Sequence, residues 1–327
     1  MKLTERVEYE FKPMDMGNVM HEALESFAEE VRKRGMKWTE LTEQERNEIA
    51  DRCLDNIVAD YGNTVLKSSA RNEYMIERTR RILRRTVWAL QKQLEQGEFQ
   101  PEGFEVTFGG GRIDRVDIME DQNKVYVKVI DYKTGNTSFD LVYLYHGLQL
   151  QLMIYLDGAL RVEQKQYPDK EIIPAGVFYY NIKDPMIREK IDADVEAVSA
   201  GLMKELKMNG LAQADPELVY RMDSSLGSIP VAFNKDGSFR KNSSVADRTQ
   251  FAVLGRYVRT KIEKIRSSIL EGDAEVSPYE LGKKNACTYC PYMTVCGFDR
   301  RLSGYEFRRL KNFSDEELWK AFDREAE

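Results

Sequence analysis

The segment Lys124–Lys133, KVYVKVIDYK, ends in an acid and an amine two residues apart. Its alternating, valine-rich pattern reads as a strand, and in a strand residues i and i+2 share a face. Val127, Val129, Asp131 and Lys133 therefore project together, with a carboxylate and an ammonium at one end of an apolar face. A hairpin turn at Gln122–Asn123 sets Asp114 of the preceding strand directly opposite Asp131. Residues so opposed have Cβ atoms about 4.5–5.5 Å apart. A further turn at Gly109–Gly110 brings Glu105 opposite Asp114, so three acids line up across three strands. A slip of one residue in either turn would break the alignment. Carboxylates this close repel and resist ionising; a divalent cation relieves the repulsion, and hard oxygen donors suit Mg²⁺ or Mn²⁺. Asp117 is a nearby alternative of the wrong parity, since Asp114 shares its face with Val116 and Ile118. The bland alternative is a group of exposed strand acids paired with neighbouring lysines and arginines. It accounts easily for any one of these residues and poorly for the set.

A second constellation is Cys287-x₂-Cys290-x₅-Cys296, within NACTYCPYMTVCGFD. Clustered thiols in a reducing compartment point to a metal or cluster site more than to disulfides. The fourth cysteine, Cys53, falls on the apolar stripe of a helix and reads as a core residue.

The elements that must position these groups follow from periodicity. Met20, Leu24, Phe27 and Val31 mark a helix over about 16–34. Ile49, Cys53, Leu54, Ile57 and Val58 mark another over 43–60, ended by Gly62, and a long basic helix covers 69–96 up to Gly97. A three-stranded meander then carries the acids. A helix is expected over 143–163, a strand over 174–182, helices over 190–208 and 246–271, and a loop or hairpin over 221–244. This order predicts an α/β fold with a mixed central sheet flanked by helices. Three segments are expected: a helical part at 1–100, the catalytic sheet with its following helix at 101–185, and C-terminal helices with the cysteine segment at 186–327.

Composition sets the outer limits. The 327 residues are 42% hydrophobic and 32% charged, enough for a sizeable core and unlike a disordered chain. No apolar run is long enough for a membrane span, and MKLTERVEYEF lacks a signal-peptide core, so a cytoplasmic location is expected. The net charge of −6 weighs against a generally basic nucleic-acid binder. Two basic runs stand out, Arg78 to Arg85 and Arg300 to Lys311; each reads first as a solvated helix face. No phosphate loop of the G-x-x-x-x-G-K-[ST] type occurs.

Taken together, GRID at Gly111–Asp114 and IDYK at Ile130–Lys133 resemble the core signature of the PD-(D/E)XK nucleases. QLMIY at Gln151–Tyr155 resembles the Q-x-x-x-Y motif of the RecB-like subgroup, which includes RecB, AddA and AddB nuclease domains, and GNVMHEAL supplies its upstream helical histidine as His21. CTYCPYMTVC resembles the C-terminal cysteine run of the iron–sulfur members, and the likeness to AddB-type nuclease domains extends over about residues 8–300.

The resemblance implies a restriction-endonuclease-like core and a metal-dependent deoxyribonuclease acting on single-stranded DNA ends during double-strand-break repair. The partner would be a helicase–nuclease subunit resembling AddA. It implies that Asp114, Asp131 and His21 hold the metal, that Lys133 orients or helps deprotonate the attacking water, and that Gln151 and Tyr155 position DNA or the metal shell. Glu105 resembles the family's upstream acid, and His146 matches no motif. Cys287, Cys290 and Cys296 would ligate a [4Fe–4S] cluster whose fourth cysteine in such proteins precedes the helical histidine. No cysteine precedes His21 here, so the expectation is a domain excised from a longer chain, with the cluster absent or incomplete. A catalytically silent DNA-binding scaffold and a stand-alone or CRISPR-associated iron–sulfur nuclease are the competing functions. The intact acid–acid–lysine set favours the active enzyme.

Overall fold

The computed structural model describes residues 11, 13–60, 69–109, 111–187 and 194–326. The expected stop at Gly62, the turn residue Gly110, residues 190–193 of an expected helix and the opening segment through Glu10 lie outside them. In chain order the elements begin with α1 (Pro13–Lys33), a 3₁₀ turn at Trp38–Glu40, α2 (Glu43–Asp60) and α3 (Ala70–Leu94). The strands β1 (Gln100–Phe108), β2 (Gly111–Asp121) and β3 (Lys124–Lys133) follow, then α4 (Leu141–Tyr145), α5 (Gln151–Gln166) and β4 (Glu171–Asn181). Next come α6 (Val195–Glu205), β5 (Asn209–Gln213), α7 (Pro216–Met222), β6 (Val245–Ala246) and α8 (Arg248–Leu270). The chain closes with β7 (Tyr279–Leu281), β8 (Lys284–Asn285), α9 (Met293–Cys296), β9 (Arg308–Arg309) and α10 (Asp315–Ala326).

Two compact units result: one formed by the chain through Phe139 together with Tyr155–Arg248, the other by Asp140–Ile154 and Thr249–Glu327. The first unit holds a six-stranded mixed sheet in the order β1-β2-β3-β4-β5-β6. The meander β1–β3 is antiparallel, β4 runs parallel to β3, and β5 runs antiparallel to β4. A parallel pair cannot be joined by a tight turn, so the chain leaves β3 and returns to β4 through α4 and α5. The helical stripes read from the sequence supply the core: Leu24 and Phe27 of α1, Leu54 of α2, and Leu83 and Leu90 of α3 cluster with Ile130, Tyr132 and Tyr180 of the sheet. Burying each such side chain is worth about 1.5–3 kcal/mol.

This helix-covered face of the sheet also holds a charged triad. Arg115 Nε lies 2.5 Å from Asp117 Oδ1, and Lys128 Nζ lies 2.9 Å from Asp117 Oδ2, all three side chains being buried. Asp117 is thus a structural counter-ion, on the side away from Asp114, as parity requires. Trp38 and Phe104 stack at 5.7 Å, and the Arg115 guanidinium lies over both rings.

The basic run of α3 is largely neutralised within the unit. Arg80 pairs with Asp55 at 2.7 Å, Arg81 with Asp184 at 2.6 Å, and Arg84 with Asp51.

Three local differences from the sequence reading have physical causes. The helix expected over 143–163 is two helices, because Gly147 takes a left-handed φ of 78° after α4. Strand β5 was not anticipated; it is only five residues long, and a Cβ on its Gly210 would collide with the Val177 carbonyl oxygen. Helix α7 was missed although Asp215 caps it and Pro216 opens it, a start signal present in the sequence.

In the second unit β7 pairs with β8 and β9, and Tyr145, Tyr257 and Phe322 form an aromatic cluster. Among the described residues no helix is long and apolar enough to cross a membrane.

Candidate active site

The register of β2 against β3 runs from Arg115 opposite Ile130 to Asp121 opposite Lys124. Continued by one pair, it sets Asp114 across from Asp131, so the turn falls at Gln122–Asn123. The β1–β2 register, with Phe104 opposite Arg115 and Val106 opposite Ile113, brackets Glu105 against Asp114 in the same way. Glu105 itself has a φ of 48°. For a non-glycine residue this costs of order 1 kcal/mol and is a mark of functional strain. Nothing in the sequence announced it.

Helix α1 completes the group. Its apolar stripe docks into the core, which leaves the adjoining flank of Asn18, His21, Glu22 and Glu25 along an open cleft of about 620 Å³. Glu105, Arg112, Asp114 and Tyr155 line the same cleft. His21 Nδ1 lies 3.4 Å from Asp114 Oδ2 and 3.8 Å from Glu105 Oε1. One ligand atom from each of His21, Glu105 and Asp114 falls within 4.8 Å of the others. Asp131 is buried beside them; its Oδ2 lies 2.6 Å from Lys133 Nζ, and its Oδ1 has no hydrogen-bond partner among the described residues. The Tyr132 N–H donates to Asp114 Oδ2 at 2.7 Å, which fixes that carboxylate against the strand.

Electrostatics report the crowding. Burial, reinforced by the Asp131 charge, pushes the Asp114 carboxyl up to about 7. Burial also raises Asp131, against the opposing pull of Lys133. Burial opposes a charge on His21, but Glu105, Asp114 and Asp131 outweigh it and raise the imidazole. Glu105 is held below the usual carboxylate range by its contact with His21, against desolvation and with help from Arg112. Several oxygens and one imidazole nitrogen thus converge where burial makes the carboxylate charges of Asp114 and Asp131 costly. An unpartnered buried oxygen and two elevated carboxyls are what a divalent cation would satisfy, so the residues present fit Mg²⁺ or Mn²⁺.

The remaining sequence candidates separate. Tyr155 reaches the cleft and packs edge-on against Phe108 at 5.9 Å. Gln151 lies one turn earlier on α5, where it belongs to the second unit. The His146 Nε2–H donates to the Lys311 carbonyl, 2.8 Å away in the second unit. Asn18, Glu22, Glu25 and Arg112 were not anticipated, although α1 spacing from His21 and strand parity with Asp114 both point to them.

Cys287, Cys290 and Cys296 carry free thiols in the second unit, and burial followed by the two neighbouring sulfurs raises Cys287. Cys53 is buried in the helical core of the first unit, as expected for a core residue. A four-cysteine cluster needs four ligands, and this segment supplies three.

A fold with a mixed sheet, acids on adjacent strands and a lysine two residues beyond the second acid defines a nuclease core. The chain belongs to the PD-(D/E)XK nuclease superfamily, whose family model matches residues 1–297. It is also similar to ATP-dependent helicase/deoxyribonuclease proteins of the AddB type. That of Lachnoclostridium phytofermentans is 41% identical over 100% of this chain and 30% of the relative. Those of Thermoanaerobacter sp. strain X514 and Clostridium acetobutylicum are each 34% identical, over 100% and 99% of this chain. The chain spans about 30% of the length of these relatives.

Proposed function

We propose that this chain is a metal-dependent deoxyribonuclease domain that hydrolyses phosphodiester bonds of single-stranded DNA. The observation that carries the reading is the convergence of His21, Glu105 and Asp114 within 4.8 Å, next to the buried Asp131–Lys133 pair. His21, Asp114 and Asp131 hold the cation, with Glu105 joining them. Mg²⁺ or Mn²⁺ bound there supplies Lewis acidity toward water and phosphate oxygens.

The protein's own groups do the rest. Lys133, tethered to Asp131, orients the attacking water and stabilises negative charge gathering on the phosphate. The Tyr132 N–H keeps Asp114 aimed at the cleft. Tyr155, with Gln151 one turn away on the same helix, positions the strand or the ligand shell.

The names of the relatives support a place within a helicase–nuclease complex, where a partner resembling AddA delivers one unwound strand for recombinational repair in the cytoplasm. The three clustered cysteines are proposed as part of an iron–sulfur site that they do not complete by themselves. The test is cleavage of labelled single- and double-stranded DNA by the purified chain with Mg²⁺, Mn²⁺ or EDTA. Metal-dependent cleavage that prefers single strands is expected. DNA binding with no cleavage under any metal would replace the enzyme by a scaffold.

A further inference from the structure

The cleft that holds the proposed cation site is acidic. Glu22, Glu25, Glu105 and Asp114 line it, and among the described residues that line it Arg112 is the one arginine or lysine. A nucleic-acid backbone entering this space meets carboxylates on α1 and on both strands. The cation offsets them at one point only, and Arg80, Arg81 and Arg84 of α3 are already paired elsewhere.

Arg112 is placed to do more. It lies two residues before Asp114 on β2 and therefore shares its face. Its Nε sits 3.3 Å from Glu105 Oε2, while Glu105 Oε1 points to His21 at 3.8 Å. A single carboxylate thus links the guanidinium to His21. The side chain remains 66% exposed and lines the cleft. Because the guanidinium itself stands in solvent, with only Glu105 largely buried, most of its charge is screened and the pair adds little to folding. A planar guanidinium pinned along one edge is instead suited to donate to phosphate oxygens along another.

We propose that Arg112 is a substrate-binding residue that engages a backbone phosphate of the strand, adjacent to the phosphate presented at the cation position. This deepens the nuclease reading and rests on it. Arg112 holds Glu105 in the free protein and donates to the phosphate when DNA is bound. The contact reads charge and backbone geometry, so it is indifferent to base sequence.

The experiment compares wild type, Arg112→Ala and Arg112→Lys. Binding of a fluorescent single-stranded oligonucleotide is measured with Ca²⁺ at several salt concentrations. Mn²⁺ binding is followed by the loss of the free-ion electron paramagnetic resonance signal, and kcat and KM are measured with Mn²⁺. Arg112→Ala should weaken DNA binding roughly 5- to 10-fold and raise KM more than it lowers kcat. The slope of log K against log salt should become shallower by about 0.7, the loss of one single-strand phosphate contact. Arg112→Lys should restore the slope and only part of the affinity, because a point charge replaces a fork. Mn²⁺ affinity should stay within about twofold, since the ligands remain. Unchanged DNA affinity and slope in Arg112→Ala would overturn the proposal. So would a large loss of Mn²⁺ binding with the slope intact, which would make Arg112 only a support for Glu105. A wild-type chain that neither cleaves DNA nor binds Mn²⁺ would remove the nuclease reading and this inference with it.

Discussion

Replacing Asp114 with Asn should make the metal-free protein more stable and inactive at once. The Asp114 carboxyl titrates near 7 in the folded chain against 3.8 ordinarily, because it is buried beside the charged Asp131. A carboxyl raised on folding keeps its proton when the unfolded chain has already released its own. Folded protein therefore binds more protons between about pH 4 and 7, and stability falls as pH rises through that window. At about 1.4 kcal/mol per pH unit, the cost above pH 7 is about 4 kcal/mol. Asn carries no charge and keeps an oxygen for the Tyr132 N–H, so the cost disappears. The attraction to His21 is already contained in that shift, so the net gain at pH 8 is about 4 kcal/mol. For a chain of this size that is a rise of about 6 °C in Tm. At pH 5 the electrostatic cost is only about 2 kcal/mol, so much of the gain should vanish there. Thermal unfolding of both proteins in EDTA at pH 8 and pH 5 measures this directly. Mn²⁺ at about 1,000 times its Kd should bring the two proteins level at pH 8, since it adds about 4.1 kcal/mol to the wild type alone. A less stable Asp114→Asn in EDTA at pH 8, or a gain that does not shrink at pH 5, would refute the account of a carboxyl strained by burial and like charge.

Three further outcomes are expected. Lys133→Ala should lower the cleavage rate by about 10²-fold or more while leaving circular dichroism and Mn²⁺ binding intact; near-normal cleavage would remove Lys133 from the chemistry. Asp117→Ala should behave differently from any change at Asp114, because it strands the buried Arg115 and Lys128. It should cost about 3–5 kcal/mol in urea unfolding, with activity lost in proportion to unfolded protein. Anaerobically purified chain should contain less than a full complement of iron and sulfide for a four-cysteine cluster, and Cys53→Ser should leave that content unchanged; four irons per chain that depend on Cys53 would show the core cysteine to be a ligand.

Much of the candidate site's placement is legible in the sequence, because hairpins obey arithmetic. With a two-residue turn at Gln122–Asn123, partner numbers across β2 and β3 sum to a constant, and Asp114, Asp131 and Lys133 follow from parity alone. The same parity separated Asp117 from Asp114, and helical spacing placed Met20, Leu24, Phe27 and Val31 in the core. Linear pattern failed where a backbone angle or a distant neighbour decided the outcome. The left-handed residue Gly147 split one expected helix in two, and β5 exists because a glycine lets it approach β4. Which acid stands nearest His21 was also beyond periodicity. It depends on how α1 packs over the sheet and on the positive φ at Glu105, so the tight trio is His21, Glu105 and Asp114 while Asp131 turns to Lys133. The sequence by itself determined which residues share a strand face. Only the tertiary structure decided their charge states and their company, because burial depth and the approach of α1 are properties of packing between segments far apart in the chain.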